Sequence, residues 1–195
     1  MKIGRLLLRL SVGGFFVGHG TQKLFGWFEG HGLEATAAGF EQMGLRPGRR
    51  NALAAGAAEA GGGALLAAGL ATPLAASALI ATMITAIRTV HAKNGPWLSN
   101  GGYEYNVVLI AAALILVEAG PGRLSLDAAL GRERTGAGWT LAALTGGALG
   151  ALGVQLAAGA APAQAGGSAQ APAQAGGEAD DASADAMGQE VASDA

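Results

Sequence analysis

The spacing of charge along this chain limits the environments in which it can fold. From Asn51 to Ile87 the only charged residue is Glu59, and from Thr135 to Gly177 there is none. A helix at the surface of a water-soluble domain needs a polar face, and these stretches offer none. Crossing the hydrocarbon core of a bilayer takes about 20 mostly apolar residues. Four stretches reach or approach that length, residues 5–28, 51–70, 73–90 and 103–119, and a fifth, 138–159, is long enough but rich in Ala and Gly. Strands are not expected, because no segment alternates apolar and polar residues with β-branched enrichment. The chain reads as all-α: a multi-pass transmembrane helical bundle of the cell membrane, with a four-helix core in residues 1–131 and a fifth helix over 138–159. Its first partner is the lipid bilayer.

The breaks between spans have local causes. Pro73 sits where the first turn of a helix tolerates it. Asn94-Gly95-Pro96 and Asn100-Gly101-Gly102 bracket a short connection, and Gly120-Pro121-Gly122 ends the fourth span. Ser125 then caps a brief interfacial segment. In the loop after the first span, Leu33, Ala37, Phe40 and Gly44 share a helical face, so a short amphipathic helix on the membrane surface is expected. Lys2 and Arg5 precede an apolar run without a small-x-small cleavage site, which fits an uncleaved first helix better than a signal peptide. Ala161-Pro-Ala-Gln-Ala-Gly-Gly167 recurs as 171–177 and runs into six acids without a base, so 160–195 is expected to be a disordered tail.

Composition removes several functions. The absence of cysteine excludes disulfides, thiolate metal sites and a cysteine nucleophile. No basic cluster has the form of a nucleic-acid footprint, so no nucleic-acid partner is expected. With five spans the twelve bases divide six and six between the two membrane sides, so the positive-inside rule chooses neither. The bases ahead of the first span favour a cytoplasmic amino terminus.

Helix alternation gathers the remaining polar groups whichever way the protein faces. His19, Gln22 and Lys23 end the first span, Glu59 lies in the second, Arg88 and His91 end the third, and Glu104 opens the fourth. All fall in one half of the membrane, together with a belt of Phe25, Trp27, Phe28, Trp97, Tyr103 and Tyr105. A carboxylate in an apolar helix is costly unless paired or protonated. Glu59 is therefore either an interhelical partner or a working proton group. Lys23, Arg88 and His91 also fit simple snorkelling at the interface, Glu104 fits a helix start, and His19 fits a packing role. Gly14-x-x-x-Gly18 and Gly56, Ala60 and Gly63 have spacings that let helices approach closely in lipid.

Four motifs, in this order, resemble the DoxX family: His19-Gly20-x-Gln22-Lys23-Leu24-Phe25-Gly26, Glu59-x-Gly61-Gly62, Asn100-Gly101-Gly102-Tyr103-Glu104-Tyr105-Asn106, and Gly120-Pro121-Gly122-Arg123-x-Ser125-Leu126-Asp127. The resemblance covers about residues 3–131. It implies a four-helix membrane domain, a link to the small subunit of thiosulfate:quinone oxidoreductase, and an oxidoreductase label. No dinucleotide fingerprint follows a strand, and no metal-ligand set or covalently bound cofactor is expected. Redox work would then need a diffusible quinone or a redox partner protein. On that reading His19 and Glu59 handle protons, and Gln22, Lys23, Arg88, His91 and Glu104 line or orient the pocket. The alternatives are a non-enzymatic scaffold for a redox or stress-response partner, and small-molecule permeation, which would require a homo-oligomer. A haem between His19 and His91 is a further arrangement, and it would show in a visible spectrum.

Overall fold

The computed structural model describes residues 3–159, and the tail expected over 160–195 lies outside them. The described residues are helical throughout their regular structure, without a strand. Five longer helices are α1 (Ile3–Phe25), α3 (Gly48–Ala68), α4 (Thr72–Ala86), α5 (Glu104–Ala119) and α7 (Ala137–Gly159). Two short ones are α2 (Gly32–Gln42) and α6 (Leu126–Ala129). Two helices are long and apolar enough to cross a membrane: α4 with its extension, Thr72–Asn94, and α7. Helix α5 has 16 residues, and α1 carries Arg5, Arg9 and Lys23 along its 23.

Helices α1 and α3 run antiparallel and touch through glycine. A Cβ on Gly13 would lie 2.6 Å from the Gly63 carbonyl oxygen, and one on Gly20 would lie 2.6 Å from that of Gly56. These positions bring backbone against backbone. Gly14 and Gly18 lie on a different face, where an added Cβ would meet nothing within 4 Å. Helix α4 is central. One core cluster joins Val12, Phe16, Leu66, Leu79, Met83 and Leu116 from α1, α3, α4 and α5. A second joins Ala76, Ile80, Ala113, Val117 and Ala143, and so seats α7 on α4 and α5. The seat is close because Gly147 faces Ile80. The Ser77 hydroxyl also donates to the Ala143 carbonyl at 3.1 Å.

At the Arg9 end, the connection after α5 is tied to two other helices by buried polar groups. Arg9, 3% exposed, donates from Nε to the Ala67 carbonyl at 2.9 Å, from Nη1 to Pro121 at 2.6 Å and from Nη2 to Leu124 at 2.5 Å. One guanidinium thereby satisfies an orphan carbonyl at the end of α3 and two in the connection. Asp127 accepts from the Ala71 and Thr72 amides at 2.8 and 3.0 Å and from the Thr72 hydroxyl at 2.8 Å. It caps the amino terminus of α4 from a distance in sequence, replacing a local capping side chain. Ser125 caps α6 through Ala128 N–H at 3.2 Å. The Gly120–Asp127 motif is thus a brace, and Arg5 joins it through the carbonyls of Ala119 and Gly120.

At the opposite end α2 folds back on α3. The Glu41 carboxylate accepts from the Gly48 amide at 2.5 Å, at the first turn of α3, and Glu34 pairs with Arg49 at 3.1 Å.

Candidate functional site

The close approach of α1 and α3 sets the geometry of the site. With Gly20 against Gly56 and Ala60, the side chains flanking this contact are drawn together. Lys23 Nζ lies 2.5 Å from Glu59 Oε2. The Glu59 side chain is 7% exposed and that of Lys23 26%, so the ammonium covers the carboxylate from the outer side. Lys23 also reaches the His19 carbonyl at 3.5 Å. Glu59 Oε1 takes no hydrogen bond among the described residues. A buried carboxylate held by one ammonium through one oxygen keeps an open acceptor.

Two histidines are oriented by loops. Gln22 Nε2 donates to the Phe28 carbonyl at 3.2 Å, which turns Gln22 Oε1 toward His19 Nδ1 at 3.1 Å. An amide oxygen can only accept, so His19 carries its proton on Nδ1 and, when neutral, presents a lone pair on Nε2. The loop that supplies the Phe28 carbonyl packs tightly, since a Cβ on Gly30 would lie 2.5 Å from the Gln22 Cα. His91 is held in the same sense, with Nδ1 2.7 Å from the Gly101 carbonyl, which also accepts from Asn94 Nδ2 at 3.1 Å. Gly102 permits that loop to close, because a Cβ there would lie 2.6 Å from the Pro96 carbonyl carbon. The two motifs around His19 and Asn100–Asn106 therefore perform one task, fixing an imidazole by its Nδ1.

These groups line one cavity of about 550 Å³. His19, Lys23, Glu59 and His91 form part of its wall, with Asn51, Tyr105 and Asn106. Phe16, Phe40, Leu45, Leu109 and Val154 make much of the rest apolar. Thr82, Thr85 and Thr89 line the face that α4 contributes. At Ile87–His91 the helix widens into a π turn. The extra residue in that turn carries the lining face on to Val90 and His91. Helix α7 closes the cavity with Gly150 and Val154.

Of the residues picked out in the sequence, the structure thus brings together His19, Lys23, Glu59 and His91. Gln22 stands behind His19 and does not line the cavity. Arg88 lines a neighbouring cavity of about 290 Å³, with Met43 and Gln155. Glu104 opens α5, its amide bonded to the Pro96 carbonyl at 2.8 Å, and does not line the cavity. Asn51 and the threonines were not singled out, and Tyr105 and Asn106 entered only through the aromatic belt and a motif. The threonine spacing of three and four along one span was a readable signal of a shared face. Among the described residues no group of three or more His, Asp or Glu could hold a metal ion.

The family model DoxX matches residues 4–92, the segment that carries His19, Lys23, Glu59 and His91. No curated protein and no solved structure matches the chain. The match runs from the start of α1 through the π turn of α4, and α5 and α7 complete the cavity from outside it. Over residues 4–92 the chain is similar to the DoxX family of membrane proteins.

Proposed function

We propose that the protein is a multi-pass protein of the cell membrane and an accessory subunit of a quinone-linked redox system. Membrane residence on more than the two apolar spans Thr72–Asn94 and Ala137–Gly159 is supported by the outward faces of the helices. Leu7, Phe15, Leu74, Val108, Ile115, Leu149 and Leu156 are each more than half exposed. In water these faces would form apolar patches too extensive for a monomer. In lipid they are in their solvent. Only 17% of the apolar window of α7 is buried, unlike the core helix of a soluble domain.

The observation that carries the redox reading is the cavity of about 550 Å³ with a charged pair and two oriented imidazoles in a largely apolar wall. Its size falls within the range of small-ligand sites, about 300–1,000 Å³. Reducing a quinone consumes two electrons and two protons and yields a hydroquinone. The electrons come from a redox centre on a partner protein. His19 Nε2 and Glu59 Oε1, both open acceptors, each take a proton from water and pass it to a ring oxygen. Lys23 holds the Glu59 carboxylate in place, and Gln22 holds the His19 ring. His91 contacts the second end of the ligand. A short-chain ubiquinone and its ubiquinol, each titrated into the purified protein in lipid nanodiscs, test this reading. Saturable binding of either form, with that of the ubiquinol weakened at least fivefold by His19→Ala, supports it, and no saturable binding of either form to the folded protein contradicts it.

A scaffold reading draws on the same ion pair, since Lys23–Glu59 ties α1 to α3. It requires that Glu59→Gln lower protein abundance and leave any ligand binding by the remaining folded protein unchanged.

A further inference from the structure

We infer that the cavity selects the reduced, hydroxyl-bearing form of its ligand, a hydroquinone, over the oxidised quinone. The inference rests on the quinone-linked reading and adds to it which redox form the resting site holds. It follows from which polar atoms around the cavity are already committed.

The donors are largely used. The hydroxyls of Thr82, Thr85 and Thr89 donate to the carbonyls of Leu79, Ala81 and Thr85 at 2.8, 2.8 and 2.9 Å. Asn51 Nδ2 donates to the Pro47 carbonyl at 3.0 Å, and Asn106 Nδ2 faces Met83 Sδ at 3.3 Å. Lys23 Nζ is engaged by Glu59 Oε2 and the His19 carbonyl. Both imidazoles spend their Nδ1 proton on Gln22 Oε1 and the Gly101 carbonyl. What remains on the donor side is one ammonium hydrogen, the second hydrogen of each amide, and the Tyr105 hydroxyl on a residue 45% exposed.

The acceptors are open. Each neutral imidazole has a lone pair on Nε2, and Glu59 Oε1 is unpartnered among the described residues. The amide oxygens of Asn51 and Asn106 and the threonine hydroxyl oxygens add further lone pairs. A quinone carries two carbonyl oxygens and can only accept, so it meets lone pairs with lone pairs. A hydroquinone carries two O–H groups of the same spacing and donates to them. A cavity that presents more open acceptors than open donors favours a ligand that brings O–H groups over one that lacks them.

The test compares three ligands of nearly the same shape with the full-length protein in nanodiscs under anaerobic conditions. They are a short-chain ubiquinol, its ubiquinone, and the dimethyl ether of the ubiquinol, which has no O–H. The expected result is that the ubiquinol binds at least tenfold tighter than either of the others. In His91→Phe, which removes one acceptor and keeps the volume filled, that preference should shrink several-fold. Quinone binding as tight as quinol, or tighter, overturns the selection and leaves the quinone-linked reading standing. Failure of all three to bind the folded wild-type protein overturns both. The wild-type comparison decides the matter even if the variant does not fold.

Discussion

Glu59 without Lys23 would be a carboxylate in an apolar helix with no counterion, and the bundle should respond accordingly. Removing one partner of a buried pair costs on the order of 3 kcal/mol, because it strands the other charge. Lys23→Met is therefore expected to lower the thermal midpoint of the detergent-solubilised protein markedly. Lys23→Met combined with Glu59→Leu should recover much of the loss. If the double variant is as unstable as the single, the pair is not the source of the effect. The imidazoles offer a second residue-level check. Nitrogen-15 NMR of labelled histidine should show Nδ1 protonated in both His19 and His91. Gln22→Leu should release His19 alone into a mixture of tautomers, and an Nε2-protonated His19 in the wild type would contradict the hydrogen-bond chain. Glu59, Lys23 and His19 were legible in the sequence because ionisable groups stand out against an uncharged span. Asn51 and Asn106 were not, since an amide near a helix start has many ordinary reasons to be there. Glu104 was drawn into the expected cluster by its place at the start of a span. Its backbone is occupied with closing the 95–103 loop.

Between helices, contact is set by which face a small residue occupies, and spacing alone does not reveal that. Gly14-x-x-x-Gly18 has the right interval on α1, yet the contact with α3 runs through Gly13 and Gly20. Paired substitutions separate the two. Gly20→Ala places a Cβ 2.6 Å from a backbone oxygen and is expected to destabilise by about 1–3 kcal/mol, as overpacking does. Gly14→Ala meets open space and should be neutral or stabilising by up to about 1 kcal/mol, through helix propensity. Unfolding of the two variants measured side by side checks this, and equal losses would contradict the assigned face. The brace at the other end was equally hard to see in advance. Arg9 reads as one more flanking base, and Gly120–Asp127 as a turn with an interfacial segment. Only the fold brings Arg9 to the end of α3 and Asp127 to the start of α4. Asp127→Ala leaves the Ala71 and Thr72 amides and the Thr72 hydroxyl without their acceptor, and a loss of about 1–3 kcal/mol is expected.

Across the whole molecule, long apolar spans bounded by charged connections were legible from the charge gaps, and so was the gathering of His19, Lys23, Glu59 and His91. The volume of the cavity was not, because it depends on how far α4 and α7 stand from α1 and α3. The multi-pass arrangement has a clean test, since the chain has no native cysteine. Ser99→Cys and Arg132→Cys place single thiols in the connections at opposite ends of α5. An impermeant maleimide added to intact cells should label one of them and reach the other only after permeabilisation. Labelling of both in intact cells would contradict the arrangement.

We propose that the cavity between α1, α3, α4 and α5 holds a quinone-type ring. A photoreactive azidoquinone, bound to the protein in nanodiscs and mapped by peptide mass spectrometry, tests it most directly. Cross-links are expected only in the lining segments around residues 82–91 and 105–109, removed by excess unlabelled hydroquinone and reduced in Glu59→Gln. Cross-links confined to the exposed outer faces of α1 and α7, unaffected by competitor, would contradict it.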